Sequence, residues 1–322
     1  MTTRDLRGAG GGLADRCPRG GWGRLGPAIT GVGHRVRLKL TFSLWLLIGV
    51  ILGYTISGWN DLPPDSGTLA PEITVPAQMT PIPPPALPPT PDHNAIYRAD
   101  LQVPAVTCVL PAMGTTNRQL EAWVQASVIC LDNAWQPVLV TAGLPFSRPG
   151  IRRFSGNIPD RACLDVTATA YYCPADKVIS VSPDRELNPI PVAHRTGWLL
   201  MTMAHEYGHH IQELSGITEA GDRTQADHPY RSPAWLQLNR RMELQANCFA
   251  GVGIAAMSGR GSVGAGELAD AASGSSGGDD AQPGLPRDHG TMANNLKWFQ
   301  TGLDAGRPAV CNTWLAATGK VA

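Results

Sequence analysis

The stretch His205-Glu206-Tyr207-Gly208-His209 places two imidazoles and a carboxylate at a spacing that can do metal chemistry. Positions four apart on an α-helix lie only about 40° apart around its axis, so His205 and His209 face the same way. Glu206 projects about 100° from His205, outside the ligand set but near enough to take a proton from a water at the metal. The pattern predicts a zinc-dependent hydrolase site with Glu206 as general base. Two surface histidines around an unrelated glutamate are the alternative.

Residues 196–214 supply the helix that this geometry needs. The run contains no proline, carries apolar residues at helical spacing and stops at Ser215-Gly216, a typical helix terminus. Gly208 inside the run costs about 1 kcal/mol relative to alanine. We therefore expect another segment to pack closely against the helix at this glycine.

A third metal ligand must come from elsewhere, because catalytic zinc normally has three protein ligands and one open position. Glu243 is the best candidate. It lies in residues 235–256, a second proline-free run with helical spacing, where a carboxylate among apolar residues needs a partner such as a dication. A salt bridge from Glu243 to Arg240 or Arg241 is the alternative.

Several segments resemble the putative neutral zinc metallopeptidases, a family of bacterial membrane-anchored proteins with a His-Glu-x-x-His helix. Residues 205–212 look like the zinc helix of the family, and residues 243–251 look like its Glu-Leu-Gln-Ala-Asp-Cys-Phe-Ala-Gly segment. Further similarity is found at residues 172–176, 289–291, 298–299 and 311–313. The resemblance covers residues 117–313.

The resemblance implies that His205, His209 and Glu243 bind one zinc ion and that Glu206 is the catalytic base. One departure matters, since Asn247 stands where the family has Asp. On a helix this position lies one turn beyond Glu243, where its side chain would accept the far N–H of a zinc-bound histidine. Asparagine can accept that hydrogen bond but adds no negative charge, so we expect weaker metal affinity or altered activity and not an inactive site.

His289 is a candidate for the group that stabilises the oxyanion of peptide hydrolysis, because such peptidases need a hydrogen-bonding or positively charged donor beyond the metal. The stretch Asp288-His289-Gly290-Thr291 is also typical of a loop leading into a helix, so a loop histidine without a catalytic task is the alternative. His210 points to another face of its helix and is predicted to be structural.

Residues 40–60 are 21 residues without a charge, rich in Leu, Ile and Val, which is long enough to span a bilayer once. Residues 1–39 carry eight Lys or Arg against two Asp, and the positive-inside bias predicts a cytoplasmic basic leader. We therefore expect a single-pass cell-membrane protein whose C-terminal domain is extracytoplasmic. A cleaved signal peptide is the alternative, but the leader is long and no Ala-x-Ala site follows the apolar run.

Residues 61–93 form the next segment, and the eleven prolines among residues 62–91 predict a semi-rigid, polyproline-like linker. The outer domain, residues 94–322, is long enough to bury one hydrophobic core. The chain has 26 Lys and Arg against 26 Asp and Glu, and it shows no basic patch that would predict nucleic-acid binding.

An even number of cysteines follows the predicted span, and an oxidising compartment would pair them. They are Cys108, Cys130, Cys163, Cys173, Cys248 and Cys311. Six thiols allow 15 connectivities, and sequence alone does not select one. The pairing that we favour is Cys108 with Cys130, Cys163 with Cys173, and Cys248 with Cys311. A cysteine-rich zinc site is disfavoured because the sequence contains no Cys-x-x-Cys spacing.

The outer domain is predicted to be α+β, a zincin-like metallopeptidase domain with a small sheet and several helices. Helices are expected at residues 115–135, 196–214, 235–256 and 291–303. Short strands are expected at residues 137–141, 167–172 and 177–181. The last of these strands is a candidate to hold a substrate backbone by strand addition. A polar connection is expected at residues 218–232, and a flexible loop with one helical turn near Leu268 at residues 258–284.

The predicted activity is hydrolysis of a peptide or protein substrate. Zinc would lower the pKa of water towards about 7, and Glu206 would accept its proton and pass it to the leaving amine. Two alternatives stay open. A membrane-tethered scaffold could keep the zinc domain for structure or partner recognition only, with Asn247 as its main support. A hydrolase of non-peptide amides, such as cell-wall cross-links, would share every ligand.

Overall fold

The computed structural model describes residues 90–154, 169–182, 190–279, 284 and 286–322. The predicted leader, the predicted membrane span and all but the last four residues of the predicted linker lie outside these ranges. Within the ranges that are described, no helix combines the length and the apolar character that crossing a bilayer requires. The predicted span at residues 40–60 therefore stays a prediction.

Six α-helices and three strands form the described part of the chain. In chain order they are α1 (Asn117–Thr141), β1 (Gly150–Arg153), β2 (Ala170–Cys173), β3 (Val178–Val181), α2 (Arg195–Leu214), α3 (Ile217–Ala226), α4 (Pro233–Met257), α5 (Ala265–Gly274) and α6 (Met292–Ala305). Along the chain, the three strands of one small sheet come after the first helix and before the other five. The arrangement is α+β, and the prediction of an α+β domain with a small sheet and several helices is confirmed.

The sheet has the strand order β1-β3-β2, with β1 parallel and β2 antiparallel to β3. Val178 of β3 pairs with Gly150 on one side and with Cys173 on the other. The prediction that residues 177–181 offer a free edge to a substrate is therefore wrong, because both edges of β3 already pair with neighbouring strands. β1 was not predicted, since its side chains are mostly exposed and its sequence does not alternate.

The first helix continues through the predicted strand at residues 137–141, so that prediction is wrong. Pro137 lies inside α1 and costs about 3 kcal/mol in a helix interior. Trp135, Val138 and Leu139 lie on the same helix and are almost completely buried in the core. Their burial offsets the cost of the proline. Each such side chain contributes roughly 1.5–3 kcal/mol on burial.

Two further segments are more helical than the sequence predicts. The expected polar connection contains α3, whose Ile217 and Ala220 are buried. The expected flexible loop contains the ten-residue helix α5, where the Glu267 side chain accepts the N–H of Gly264 at 2.9 Å and so caps the helix. In both cases packing against the core overrides weak local propensity.

The zinc-helix candidate α2 packs against α4, and Gly208 lies at their contact. A Cβ atom at Gly208 would lie 2.6 Å from the backbone oxygen of Ala246 and 2.9 Å from its Cα. Backbone atoms of a helix cannot rotate away as a side chain can. The close packing predicted for this glycine is confirmed, and it is what brings the two helices near enough to share a site.

We expect Gly208→Ala to lower the free energy of unfolding by about 2–3 kcal/mol, the usual range for overpacking. Helix propensity alone would favour alanine by about 1 kcal/mol, so the sign of the effect reports the packing. Urea denaturation in the presence of a chelator measures it. Gly266→Ala in α5 is the matched control, because a Cβ there meets no atom of the described chain within 4 Å. Equal stability of Gly208→Ala and the native chain would contradict the packing argument.

Two of the three favoured disulfides are present. Cys108 is bonded to Cys130 and Cys248 to Cys311, so both of these pairings are confirmed. Cys173 is also in a disulfide. Cys163 lies outside the described residues, and its pairing with Cys173 stays a prediction.

Candidate metal centre

The crossing of α2 and α4 brings the three predicted metal ligands together. His205 and His209 lie one turn apart on α2, and their Nε2 atoms are 3.2 Å from each other. Oε2 of Glu243, on α4, lies 3.4 Å from Nε2 of His205 and 3.3 Å from Nε2 of His209. The three atoms thus form a nearly equilateral triangle, as required of ligands that share one ion.

The imidazole of His209 is held in one tautomer by Gln212. Nε2 of Gln212 donates to the backbone oxygen of Met242 at 2.8 Å, so its Oε1 is the atom that faces Nδ1 of His209 at 2.9 Å. An amide oxygen only accepts, and Nδ1 of His209 therefore carries the hydrogen. Gln245 fixes Gln212 in turn, because its Oε1 accepts a second bond from Nε2 of Gln212 at 3.0 Å.

His205 has the same kind of partner, since its Nδ1 lies 2.8 Å from Oδ1 of Asn247. The position of Asn247 agrees with the one expected from sequence, one turn beyond Glu243. Both imidazoles therefore donate outward through Nδ1 to a neutral amide. Their Nε2 lone pairs face each other and the carboxylate of Glu243.

This donor set fits a zinc ion. Three lone pairs at these separations repel unless a cation lies between them. The edge of a tetrahedron with bonds of about 2.0–2.1 Å is about 3.3 Å, close to all three sides of the triangle. Glu243 is 1% exposed, and within the described chain its Oε2 has no hydrogen-bond partner. A buried carboxylate oxygen without a hydrogen-bond donor is stabilised by a cation.

Glu243 is ionised in this setting. Burial raises the pKa of Glu243, but the electrostatic interaction with His209, the contacts with His205 and His209, and the charge of His289 outweigh it. These interactions hold the pKa of the Glu243 carboxyl well below its usual value. The predicted alternative, a salt bridge from Glu243 to Arg240 or Arg241, is not supported, since both guanidinium groups donate to backbone carbonyls in the C-terminal half.

Glu206 follows His205 on α2 and is only 3% exposed. It does not belong to the group of side chains that could share the ion. Its role as general base stays a prediction.

His289 lies in the turn before α6, and two carboxylates orient it. Its Nδ1 lies 2.7 Å from Oδ1 of Asp288, while Oδ2 of Asp279 accepts the backbone N–H groups of His289 and Gly290 at 2.9 and 2.6 Å. Burial lowers the pKa of His289, but the hydrogen bond to Asp288 and the charges of Glu243, Asp288 and Asp279 raise the pKa to about 9. Nε2 is buried and has no hydrogen-bond partner among the described residues. The result is a cation whose charge acts on Glu243 and whose second N–H is free to donate.

His210 has a structural place, which agrees with the prediction. It is fully buried, with Nε2 2.7 Å from the backbone oxygen of Ser147 and Nδ1 2.9 Å from the hydroxyl of Tyr172. A carbonyl only accepts, so Nε2 donates to Ser147 and Nδ1 accepts from Tyr172. Burial lowers the pKa of His210 to about 4, so the ring is neutral and joins α2 to β2.

The comparison with known families agrees with this site. Residues 109–314 match the family model described as "putative neutral zinc metallopeptidase". The chain belongs to this family. The match includes the whole triangle of His205, His209 and Glu243, together with Glu206 and His289.

Two relatives of this zinc metallopeptidase family member illustrate how far its similarity extends. It is 33% identical over 161 residues to the uncharacterized protein YpfJ of Escherichia coli (strain K12), a match that covers 45% of this chain and 53% of the relative. It is 30% identical over 225 residues to an uncharacterized protein of Mycobacterium tuberculosis (strain H37Rv), covering 62% and 73%. The chain thus spans about half the length of the Escherichia coli relative. No solved structure matches it.

Sequence reasoning missed several residues that support the site of this metallopeptidase. Gln212 could have been found, because it lies three positions after His209 on the same helix, where side chains meet. Asp279 and Asn295 gave no such signal. Asn295 reaches Asn247 through the packing of α6 against α4, and Asp279, which follows α5, accepts backbone N–H groups of the turn before α6.

Proposed function

We propose that this chain is a zinc-dependent peptidase in which Glu206 is the general base. The observation that carries the proposal is the triangle of two Nε2 lone pairs and one buried carboxylate oxygen, with Glu206 buried on the same helix as the two histidines. Such a donor set leaves one tetrahedral position for water or substrate. Membership of a family described as zinc metallopeptidases supports the same reaction class.

His205, His209 and Glu243 would hold the ion. Zinc, when bound, lowers the pKa of water to about 7 and polarises a carbonyl group. Glu206 would accept the proton of the attacking water and pass it to the leaving amine. His289, oriented by Asp288, would donate from Nε2 to the oxygen that becomes negative as water attacks the peptide carbonyl.

The role of His289 predicts a pH dependence. Nδ1 is committed to Asp288, so Nε2 carries a hydrogen only while the ring is protonated. We therefore expect kcat to fall at alkaline pH, as the pH rises through the pKa of His289, which Asp288 and Asp279 raise above its usual value. His289→Ala should lower kcat at pH 7 by about 10²-fold, typical for the loss of one oxyanion donor, and should abolish this alkaline decline.

His93→Ala is the matched control for the pH profile, because the side chain of His93 is 81% exposed. It should leave both kcat and the alkaline decline unchanged. An alkaline decline that survives in His289→Ala would show that another group titrates there.

The proposal includes a membrane anchor at residues 40–60, with the catalytic domain, residues 94–322, outside the cytoplasm. The uncharged run and the basic leader support it. So do the disulfides Cys108–Cys130 and Cys248–Cys311, since disulfides are typical of oxidising compartments. Cys17 in the leader offers a test. A membrane-impermeant maleimide should label Cys17 only after cells are lysed, and labelling in intact cells would reverse the proposed orientation.

Metal analysis combined with a broad peptide library tests the proposed activity. The full chain, purified in detergent, should contain about one zinc per molecule and cleave peptides in a reaction that chelation and Glu206→Gln both abolish. Zinc without Glu206-dependent cleavage would favour the scaffold. Glu206-dependent release of cross-links from purified cell wall, without peptide cleavage, would favour the non-peptide amide hydrolase.

A further inference from the structure

A continuous series of side-chain amides joins His205 to the turn that carries His289. The series begins at Asn295 on α6, which is 3% exposed. Its Nδ2 lies near three consecutive backbone oxygens, those of His289 at 3.0 Å, Gly290 at 3.1 Å and Thr291 at 3.0 Å. Carbonyl oxygens only accept hydrogen bonds, so the NH₂ group of Asn295 must face them. Oδ1 of Asn295 is thereby directed to the opposite side, towards Asn247.

The direction of donation passes from Asn295 to Asn247 and then to His205. Nδ2 of Asn247 donates to Oδ1 of Asn295. Oδ1 of Asn247 is left to face Nδ1 of His205 at 2.8 Å, where it accepts. Nδ1 of His205 must therefore carry the ring hydrogen. Its Nε2 then presents a lone pair to the candidate metal centre.

We propose that Asn295 is a positioning residue that acts through Asn247, setting the tautomer of His205 and coupling the candidate metal centre to the His289 turn. This inference rests on the proposed function, since it concerns the same site. It assigns Asn295 a role that no local sequence pattern indicates. The same backbone oxygens that fix Asn295 belong to the turn that holds His289.

The contact with Asn295 reverses the expectation that asparagine at position 247 weakens metal binding. An aspartate at this position would set a carboxylate oxygen against Oδ1 of Asn295. If Asn295 flipped to donate to that carboxylate, its Oδ1 would face three backbone carbonyls. Both arrangements bring oxygens together without a hydrogen between them. Asparagine is thus the residue that matches Asn295 in hydrogen bonding.

Asn247→Asp tests the coupling in two ways. In chelator, where metal plays no part, it should lower Tm by about 5 °C or more, because it leaves buried polar atoms unpaired. With metal, it should weaken zinc binding by about 10- to 100-fold, the usual effect of disturbing a partner of a metal ligand. A fluorescent chelator in competition measures the affinity. Asn133→Asp, on an exposed face of α1, is the matched control and should change neither quantity.

A second substitution, at Asn295, tests whether the two residues act together. Asn295→Ser removes the opposing oxygen and offers a hydroxyl, although it also loses the bonds of Asn295 to the backbone oxygens of the turn, so Asn247→Asp with Asn295→Ser should recover part of the Tm and zinc affinity that Asn247→Asp alone loses. The effects of the two changes should therefore be non-additive. Long-range ¹⁵N spectra should report the Nδ1–H tautomer for His205 in the native chain and a mixture of tautomers in Asn295→Ala.

Several outcomes would overturn the inference. One is native or tighter zinc binding by Asn247→Asp at unchanged Tm, and another is additivity of the two substitutions. If Asn247→Asp alone does not fold, recovery of folded protein in the double variant supports the coupling, and failure of both variants opposes it. None of these measurements uses turnover. They remain distinct from a failure of the proposed function, which is the absence of Glu206-dependent cleavage.

Discussion

Glu206→Gln is expected to lower kcat for peptide hydrolysis by about 10³-fold, within the range of about 10²–10⁴ for a general base. Glutamine has the shape of glutamate but cannot accept the proton of the attacking water. Glu206 is buried beside His205 and outside the ligand triangle, so zinc affinity should stay within about threefold of the native value. Steady-state kinetics on a cleaved peptide and zinc competition titration together measure both quantities.

Glu219→Gln is the matched control for this variant. Glu219→Gln is the same substitution at an exposed position on α3. The Glu219 side chain is 61% exposed and pairs with Arg223 at 3.0 Å. Surface pairs of this kind contribute about 0–1 kcal/mol, so kcat and stability should hardly change. Native turnover in Glu206→Gln would move the general base to another group, and a large loss of zinc would make Glu206 a ligand.

The parts of the site that could be predicted from sequence are those that one helix determines. His205, Glu206 and His209 need only the 3.6-residue period of α2, and the predicted start of that helix differs by one residue from the observed one. Glu243 required one more step. It stands out because a carboxylate on the apolar face of α4 needs a compensating charge.

The parts that could not be predicted depend on contacts distant in sequence. Pro137 should end a helix by local rules, but the buried side chains around it keep α1 intact. The sequence of α3 is mostly polar and so predicted a connection, but burial of Ile217 in the core stabilises a helix there. β3 resembled an edge strand because its sequence does not reveal that β1 and β2 flank it. In each case tertiary packing decides between local alternatives of similar free energy.

The hydrogen-bond partners of the two histidine ligands explain why Glu243 should contribute most to metal affinity. Gln212 and Asn247, which orient His209 and His205, are both neutral amides. Glu243 therefore brings the only negative charge within the group formed by the three ligands and these two amides. Among the ligands and these two amides, only the carboxylate of Glu243 compensates the charge of a dication.

Glu243→Gln is accordingly expected to weaken zinc binding by about 10³-fold. Removing one partner of a buried charge pair costs about 3–5 kcal/mol, and each 1.4 kcal/mol is tenfold in affinity. Zinc should raise the Tm of the native chain, because it binds the folded state, and this chelator-sensitive shift should disappear in the variant. Glu121→Gln, on an exposed face of α1, should retain the shift. Zinc binding by Glu243→Gln within tenfold of native would remove Glu243 from the ligand set, and the three-ligand centre on which the peptidase proposal depends would no longer stand.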